Sequence, residues 1–363
     1  MKNITAEKGF YKTALLLALP IAMQNLLVSC AALIDTSMVM ALGNVHTSAV
    51  GIAGRLAFLL NVVTFGVCSG SATLIAQFWG AKEHKNIKKA YGTALMSALP
   101  VALLFASAFF FAPAFLMKIF TDDTAVISAG AVYLKYYSFA CIFIMFSQIT
   151  CSSLRATERV KLPLLSSFVS VIVNTFLNYC LIGGHLGFPR LEMKGAAIAT
   201  AIGAATQALV LLLFVLLSKN PLRASAKELF VQKKEFVAKF LRVAVPVLFN
   251  ESLWAVGTNV YAMVIARQGT DNHAAFTVYD TFQQLFFVFF AGMCNACAIM
   301  VGKQIGEEKK REAFTTARRF TVMTPVMGVL VGALIMLLRM PVLNLLPVEK
   351  PETVALAATI LVG

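Results

Sequence analysis

The sequence contains little charge for its length. Charged residues make up 13% of its 363 residues, whereas soluble domains carry about a quarter. Too few charged side chains remain to cover a water-exposed surface, which argues against a soluble enzyme. Histidine is also scarce, and His46, His84, His185 and His273 all fall at the ends of apolar segments or between them. A membrane-embedded enzyme would need paired His or a Ser/Lys pair at one depth, and we find none.

The sequence also lacks a disulfide framework. All seven of its cysteines fall in long apolar segments, and Cys297 follows Cys294 by three residues in one of them. Disulfide frameworks belong to small secreted domains, and a Cys-x-x-Cys pair acts as a redox or metal motif in a hydrated fold. We therefore interpret the cysteines as small packing residues.

Long apolar segments dominate the sequence instead. Each is close to or longer than the roughly 20 residues that cross a hydrocarbon core, and a bilayer offers no partners for unpaired backbone groups, so each must be helical. The sequence predicts an all-α polytopic membrane protein with about nine and a half spans. The predicted spans are Tyr11–Ala41, His46–Gly80, Ala90–Phe115, Thr124–Leu154, Leu162–Gly183, Gly195–Ser218, Phe240–Ala266, Asn272–Gly302, Phe320–Leu338 and an incomplete tenth from Glu352.

The net charge of +14 has a membrane explanation. If the amino terminus is cytoplasmic, the inside segments carry 23 of the 31 Lys and Arg residues and the outside loops carry 6. This asymmetry is the positive-inside bias. We expect a multi-pass protein of the cell membrane (the inner or plasma membrane) with a cytoplasmic amino terminus. The charge does not require nucleic acid as a partner.

An internal repeat relates the two parts of the chain. Residues 17–25 resemble residues 243–251, and a constant spacing of 226 residues pairs Pro20 with Pro246 and Gly80 with Gly306. Six predicted helices separate the two prolines, and because six is even, both halves have the same orientation. Parallel repeats of this kind are a known transporter plan.

The repeat predicts two six-helix lobes. Residues 1–218 would form the amino-terminal lobe, residues 219–239 a basic cytoplasmic linker, and residues 240–363 an incomplete carboxy-terminal lobe. If the second lobe also had six helices, two and a half spans would be missing after Gly363. We therefore expect the sequence to be a fragment or a truncated product.

Several short motifs occur in order along almost the whole chain. They are Pro20, Asn25, Asp35, Met38 and Leu42-Gly43; Ala49-Val50-Gly51; Gln77–Ala81; Leu154–Thr157; Asn174–Gly183; Gly195–Thr200; and Pro246, Glu251 and Trp254. As an ordered set, these motifs resemble the multidrug and toxic compound extrusion (MATE) family. The resemblance implies two lobes around a central cavity and Na⁺- or H⁺-coupled export of amphipathic, often cationic compounds.

Polar side chains on three predicted spans of the first lobe suggest a coupling site. Asp35, Asn174, Asn178 and Thr200 all fall roughly 9 to 15 Å below the outer surface, at 1.5 Å per residue. Hard oxygens at one depth could bind Na⁺ or hold a proton, or the set could be a structural hydrogen-bond cluster. Where this chain has Asn178, the family often has Asp. With one carboxylate, the coupling ion stays open between Na⁺ and H⁺.

The second lobe offers candidate substrate or proton sites. Glu251 and Asp280 are acids inside predicted spans, and intramembrane acids are functional candidates. The family uses a Glu in its seventh helix, at a somewhat different distance from the proline. Tyr261 stands where the repeat places the equivalent of Asp35, so the lobes differ chemically, and Gln284 could line the same cavity.

Together these features predict a secondary efflux antiporter that moves small amphipathic or cationic molecules by alternating access. We expect a monomer in the lipid bilayer, with no cofactor beyond the coupling ion. The alternative from the same superfamily is a flippase for a lipid-linked precursor. A flippase would need basic residues along its cavity, whereas the predicted helices offer mostly acids and amides.

Overall fold

A computed structural model describes residues 2–218, 220–225, 228–229, 234–266 and 270–343. Within these ranges, the side chains of residues 2–8, 259, 262–266, 270–286, 331 and 334–343 are outside the description. The described part of the chain is helical throughout. Its helices are α1 (Lys2–Met40), α2 (Asn44–Gly80), α3 (His84–Phe111), α4 (Pro113–Lys118), α5 (Thr124–Ala156), α6 (Lys161–Gly183), α7 (Glu192–Leu217), α8 (Lys234–Ala266), α9 (Thr270–Gly306) and α10 (Lys310–Leu343).

The helices confirm the predicted all-α membrane fold. Each of the nine complete predicted spans corresponds to one long helix, and seven described segments are long and apolar enough to cross a bilayer. Several helices extend beyond the predicted spans: α1, α3 and α10 begin six to ten residues earlier, at Lys2, His84 and Lys310. Two further boundaries differ for a local reason. Pro113 starts the short helix α4, so that α3 ends at Phe111, and α8 begins at Lys234, inside the predicted linker. The predicted tenth span lies outside the described residues.

Short connections make successive long helices run in opposite directions. Asp123 begins α5 by accepting hydrogen bonds from the backbone N–H groups of Ala125 (2.9 Å) and Val126 (3.3 Å), which satisfies donors that a helix start leaves unpaired. Gly184 ends α6 in the left-handed region, at φ 75°, where a residue without a Cβ is favoured. In the first half, α5 packs against α2, α3 and α7, while α6 packs against α1 and α7.

The two halves meet through α1, α2, α8 and α9. A Cβ on Gly80 would collide with the backbone carbonyl of Lys303, and a Cβ on Gly306 would collide with the backbone carbonyl of Gln77. Lys303 and Gly306 lie 226 residues after Gln77 and Gly80. The two collisions are therefore one contact repeated by the internal symmetry, which confirms the parallel repeat.

The repeat axis passes between α2 and α9. Ala76 and its repeat equivalent Gly302 face each other, since a Cβ on Gly302 would lie 2.8 Å from the Ala76 Cβ. These contacts all fall in the half of each helix nearer Gly80 and Gly306, which we call the basic end because the connections there carry most of the Lys and Arg. The halves are thus joined at the basic end. Two further contacts are related in the same way, Gly66 with Leu248 and Gly292 with Ala22.

Candidate functional site

A polar cluster lies between α1, α6 and α7, in the half of the bundle away from the basic end. Asp35 comes from α1, and Asn174 and Asn178 come from α6, one turn apart and therefore on the same face. The helices approach closely because α7 presents Gly203 to α6, where a Cβ would lie 2.9 Å from the Asn174 Cβ. Small residues on α7 thus bring the two helices together, as in other membrane bundles.

The hydrogen bonds of this cluster converge on Asn178. Its Nδ2 donates to Asp35 Oδ1 at 2.6 Å and to Asn174 Oδ1 at 3.3 Å. Asn178 is 1% exposed and Asn174 is 8% exposed, whereas Asp35 is half-buried. The structure therefore brings together three of the four residues predicted for the coupling site, and one side of Asp35 stays accessible.

One atom of the cluster lacks a partner among the described residues. Asn178 Oδ1 is buried and accepts no hydrogen bond, although a buried polar atom usually has one. A bound cation or a protonated carboxyl group would supply what this oxygen lacks. The oxygens of Asp35, Asn174 and Asn178 are also the hard ligands that Na⁺ prefers. The donor set fits a monovalent cation or an exchangeable proton.

Thr200, the fourth predicted residue, lies one step away from the carboxylate. Its hydroxyl donates to the backbone carbonyl of Ala196 at 2.9 Å, and Tyr133 of α5 lies close to it. Tyr133 interacts electrostatically with Asp35, and the sequence analysis did not identify it. The signal it missed is a tyrosine-rich stretch, Tyr133-Leu-Lys-Tyr-Tyr137, inside a predicted span.

The structure describes only some of the candidate side chains in the second half. Glu251 lies on α8, five residues after Pro246, and is half-buried. Tyr261 lies ten residues further along the same helix and is 61% exposed. Asp280 and Gln284 belong to α9, but their side chains lie outside the described part. The described hydrogen bonds do not connect Glu251 with Asp35.

Comparisons with known proteins are consistent with the predicted family. The model of the MatE family matches residues 20–180 and 246–362. A probable multidrug resistance protein of Bacillus subtilis, YoeA, is 27% identical over 83% of this chain and 66% of its own length. The multidrug resistance protein NorM of Vibrio cholerae is 26% identical over 83% of this chain. The chain spans about two thirds of the length of these two relatives.

Solved structures share the fold. A multidrug resistance MATE family transporter of the MOP superfamily, in an outward-facing conformation, superposes with a TM-score of 0.84 at 20% identity, covering 97% of this chain and 77% of the other. A MOP superfamily transporter from Pyrococcus furiosus gives a TM-score of 0.84 at 19% identity over 97% of this chain and 76% of that chain. At this level of identity, the likeness concerns the arrangement of the helices.

Proposed function

Because the chain belongs to the MatE family, we propose that it exports amphipathic, often cationic compounds in exchange for H⁺ or Na⁺. The single observation that carries the proposal is the 2.6 Å hydrogen bond between Asn178 and Asp35, with an unpartnered oxygen on the same amide. The names of the relatives, multidrug resistance proteins, support the substrate class.

Asp35 would exchange the coupling ion. When Asp35 is ionised, the Asn178 amide donates to it; when Asp35 is protonated, rotation of the amide would let Asn178 Oδ1 accept the new O–H. A bound Na⁺ would instead use the oxygens of Asp35, Asn174 and Asn178. Since one carboxylate balances one positive charge, the site suits a single monovalent ion in either case.

Exchange requires that the site face the two sides of the membrane in turn. The halves are joined at the basic end through Gly80 and Gly306, and the positive-inside bias assigns that end to the cytoplasm. Asp35 lies in the other half of the bundle. We infer that this conformation faces outward, that the amino terminus is cytoplasmic and that rocking of the halves opens the basic end.

The second half would contact the cargo. Glu251 is an intramembrane acid that attracts a cationic group, and Tyr261 offers an aromatic ring for cation–π contact. Asp280 and Gln284 are proposed for the same surface on their sequence positions. Small amphipathic cations satisfy both kinds of contact.

The test is dye efflux in cells that lack their major efflux pumps. Cells expressing the gene that encodes this chain are loaded with ethidium, and efflux is followed with and without an inward Na⁺ gradient. We expect Asp35→Asn to reduce the efflux rate at least about tenfold, because removing a coupling carboxylate removes exchange. Asp122→Asn, an exposed acid between α4 and α5, is the matched control and should not change it.

Both arms of the experiment are decisive. Loss of efflux on removal of Na⁺ assigns Na⁺ as the coupling ion, and efflux that follows the pH gradient alone assigns H⁺. Equal efflux by wild type and Asp35→Asn would contradict the coupling role of Asp35. No efflux of any of several cationic and neutral dyes by the expressed wild type would contradict multidrug export.

A further inference from the structure

A second polar cluster lies inside the first half, separate from Asp35. It consists of Gln24 on α1, Cys151 and Arg155 on α5, Ser167 on α6 and Gln207 on α7, and we call it the Arg155 cluster. Ser167 and Asn178 are eleven residues apart on α6, which separates the two clusters by about 16 Å along the helix. The proposed antiport does not use any of its members.

Hydrogen bonds and close N–H···S contacts connect all five side chains of the Arg155 cluster. Arg155 donates from its guanidinium to Gln24 Oε1 at 2.6 Å. Gln24 Nε2 and Gln207 Nε2 both donate to Ser167 Oγ, at 2.8 and 3.0 Å. Both amide nitrogens also lie near the thiol of Cys151, at 3.9 and 4.0 Å. Three helices (α1, α5 and α7) thus direct N–H groups toward one place, and α6 adds the Ser167 hydroxyl.

Arg155 brings a positive charge that the described residues do not balance. The salt bridges among the described side chains are Lys88–Glu228, Arg190–Glu192, Lys303–Glu158 and Lys309–Glu307, and none involves Arg155. Its Nε atom is buried and has no partner among them. A buried charge is costly unless it is paired, so a structural tie between α1 and α5 explains only part of the arrangement.

The cluster also has more donors than acceptors. A guanidinium carries five N–H groups, each glutamine amide carries two, and the Ser167 hydroxyl carries one. Gln24 Oε1 already accepts from Arg155, Ser167 Oγ already accepts twice, and a thiol is a weak acceptor. The remaining side-chain acceptor, Gln207 Oε1, is neutral. What this set lacks is an acceptor with negative charge, which is the property of an anion.

We propose that the Arg155 cluster is a binding site for a small monovalent anion, held by the Arg155 guanidinium and the side chains of Gln24, Ser167 and Gln207. The anion is either a free halide or a carboxylate group on a transported compound, since both present one negative charge to N–H and O–H donors. Its binding neutralises the guanidinium inside the lobe. This site is independent of the proposed cation exchange at Asp35.

Thermal unfolding of the purified full chain in detergent tests the proposal. The Na⁺ concentration is held constant while the anion is chloride, bromide, acetate or methanesulfonate, a larger anion without a carboxylate group. We expect chloride to raise Tm over methanesulfonate by about 3 °C, the size that ligand binding to the native state gives for a chain of this length. Stabilisation by chloride and bromide alone assigns a free halide, and stabilisation by acetate as well assigns a carboxylate.

Variants separate anion binding from a structural role. Arg155→Gln removes the charge and should abolish the difference between anions, whereas a purely structural arginine would lower Tm equally in all of them. Ser167→Ala keeps the positive charge but removes one donor, and it should reduce the difference in Tm between the anions. Arg159→Gln, which removes a charge four residues later in the chain, is the matched control and should retain the full difference in Tm between the anions.

Bromide provides a direct measurement on the unmodified protein. A crystal grown in bromide should show an anomalous peak within hydrogen-bond distance of the Arg155 guanidinium, even if Arg155→Gln fails to fold. An anion response that survives in Arg155→Gln, or a wild-type protein whose Tm is the same in all four anions, would overturn the proposal.

Discussion

At the scale of single residues, Asn178 decides how the proposed coupling site handles charge. Its amide nitrogen donates to Asp35 at 2.6 Å, so a single carboxylate faces neutral neighbours. An amide and a carboxylate have nearly the same shape but differ in hydrogen bonding. An amide both donates and accepts hydrogen bonds, whereas an ionised carboxylate can only accept them. We therefore expect the choice of Asn at this position to determine how tightly the proposed site holds a cation.

Replacing Asn178 by Asp is expected to strengthen Na⁺ binding. Two carboxylates at this distance repel each other unless a cation lies between them, and added ligand charge raises affinity for hard cations. We expect Na⁺ to raise the Tm of purified Asn178→Asp by about 3 °C more than that of wild type, measured against choline with chloride held constant. The double variant Asp35→Asn, Asn178→Asp has one carboxylate again and should lose the gain; an equal Na⁺ response in wild type and Asn178→Asp would contradict this reasoning.

At the scale of helices, glycine sets how closely α2 and α9 approach. Gly80 and Gly306 each face a backbone carbonyl of the other helix. Backbone cannot move away as a flexible side chain can, so overpacking here is expected to cost about 1–3 kcal/mol. The same α2 helix carries Gly54, where a Cβ would meet nothing within 4 Å.

Gly306→Ala and Gly54→Ala are therefore expected to act in opposite directions. Gly306→Ala should lower Tm by several degrees because the helices must separate. Gly54→Ala should leave Tm unchanged or raise it slightly, since alanine favours an exposed helix by up to about 1 kcal/mol over glycine. Thermal unfolding of both variants in one detergent checks this. A fall of the same size in both would mean that helix propensity, rather than the contact with Gln77, governs the position.

The sequence predicted the helices better than it predicted the contacts between them. Long apolar segments and the 226-residue repeat predicted the nine long helices, and the family match confirms the family that the motifs resemble. The short helix α4 escaped prediction because Pro113 divides an apolar stretch that hydropathy alone treats as continuous. The depth of Asp35 and the face of α6 predicted which residues would meet. Tyr133 and the Arg155 cluster were missed, because contacts between distant helices depend on rotation about each axis, which periodicity does not specify.

At the scale of the whole molecule, one ion pair joins the two halves at the basic end. Lys303 Nζ of α9 lies 2.8 Å from both carboxylate oxygens of Glu158, which follows α5. Trp79 of α2 donates to the same carboxylate at 2.9 Å. The pair is about one third exposed, so its contribution is modest, on the order of 1 kcal/mol or less. A modest contribution suits a contact that would break in each cycle of the proposed transport.

Breaking this pair is expected to shift the molecule toward a conformation open at the basic end. With less than about 1.4 kcal/mol removed, the ratio of the two conformations changes by less than tenfold, which spectroscopy can detect. Spin labels at Lys82 and Lys309, in a background without native cysteines, report the separation of the halves. We expect Lys303→Met to enlarge the population with the longer distance.

The control is a salt bridge that stays within one half, between Arg190 and Glu192 at 3.4 Å. With both labels kept in place, Glu192→Gln should leave the distance distribution unchanged, since Arg190 and Glu192 both belong to the first half. Charge reversal in the double variant Glu158→Lys, Lys303→Glu should restore the short distance only in part, because the Trp79 N–H would then face an ammonium group instead of a carboxylate. Identical distributions in Lys303→Met and wild type would show that the glycine contacts alone keep the basic end closed.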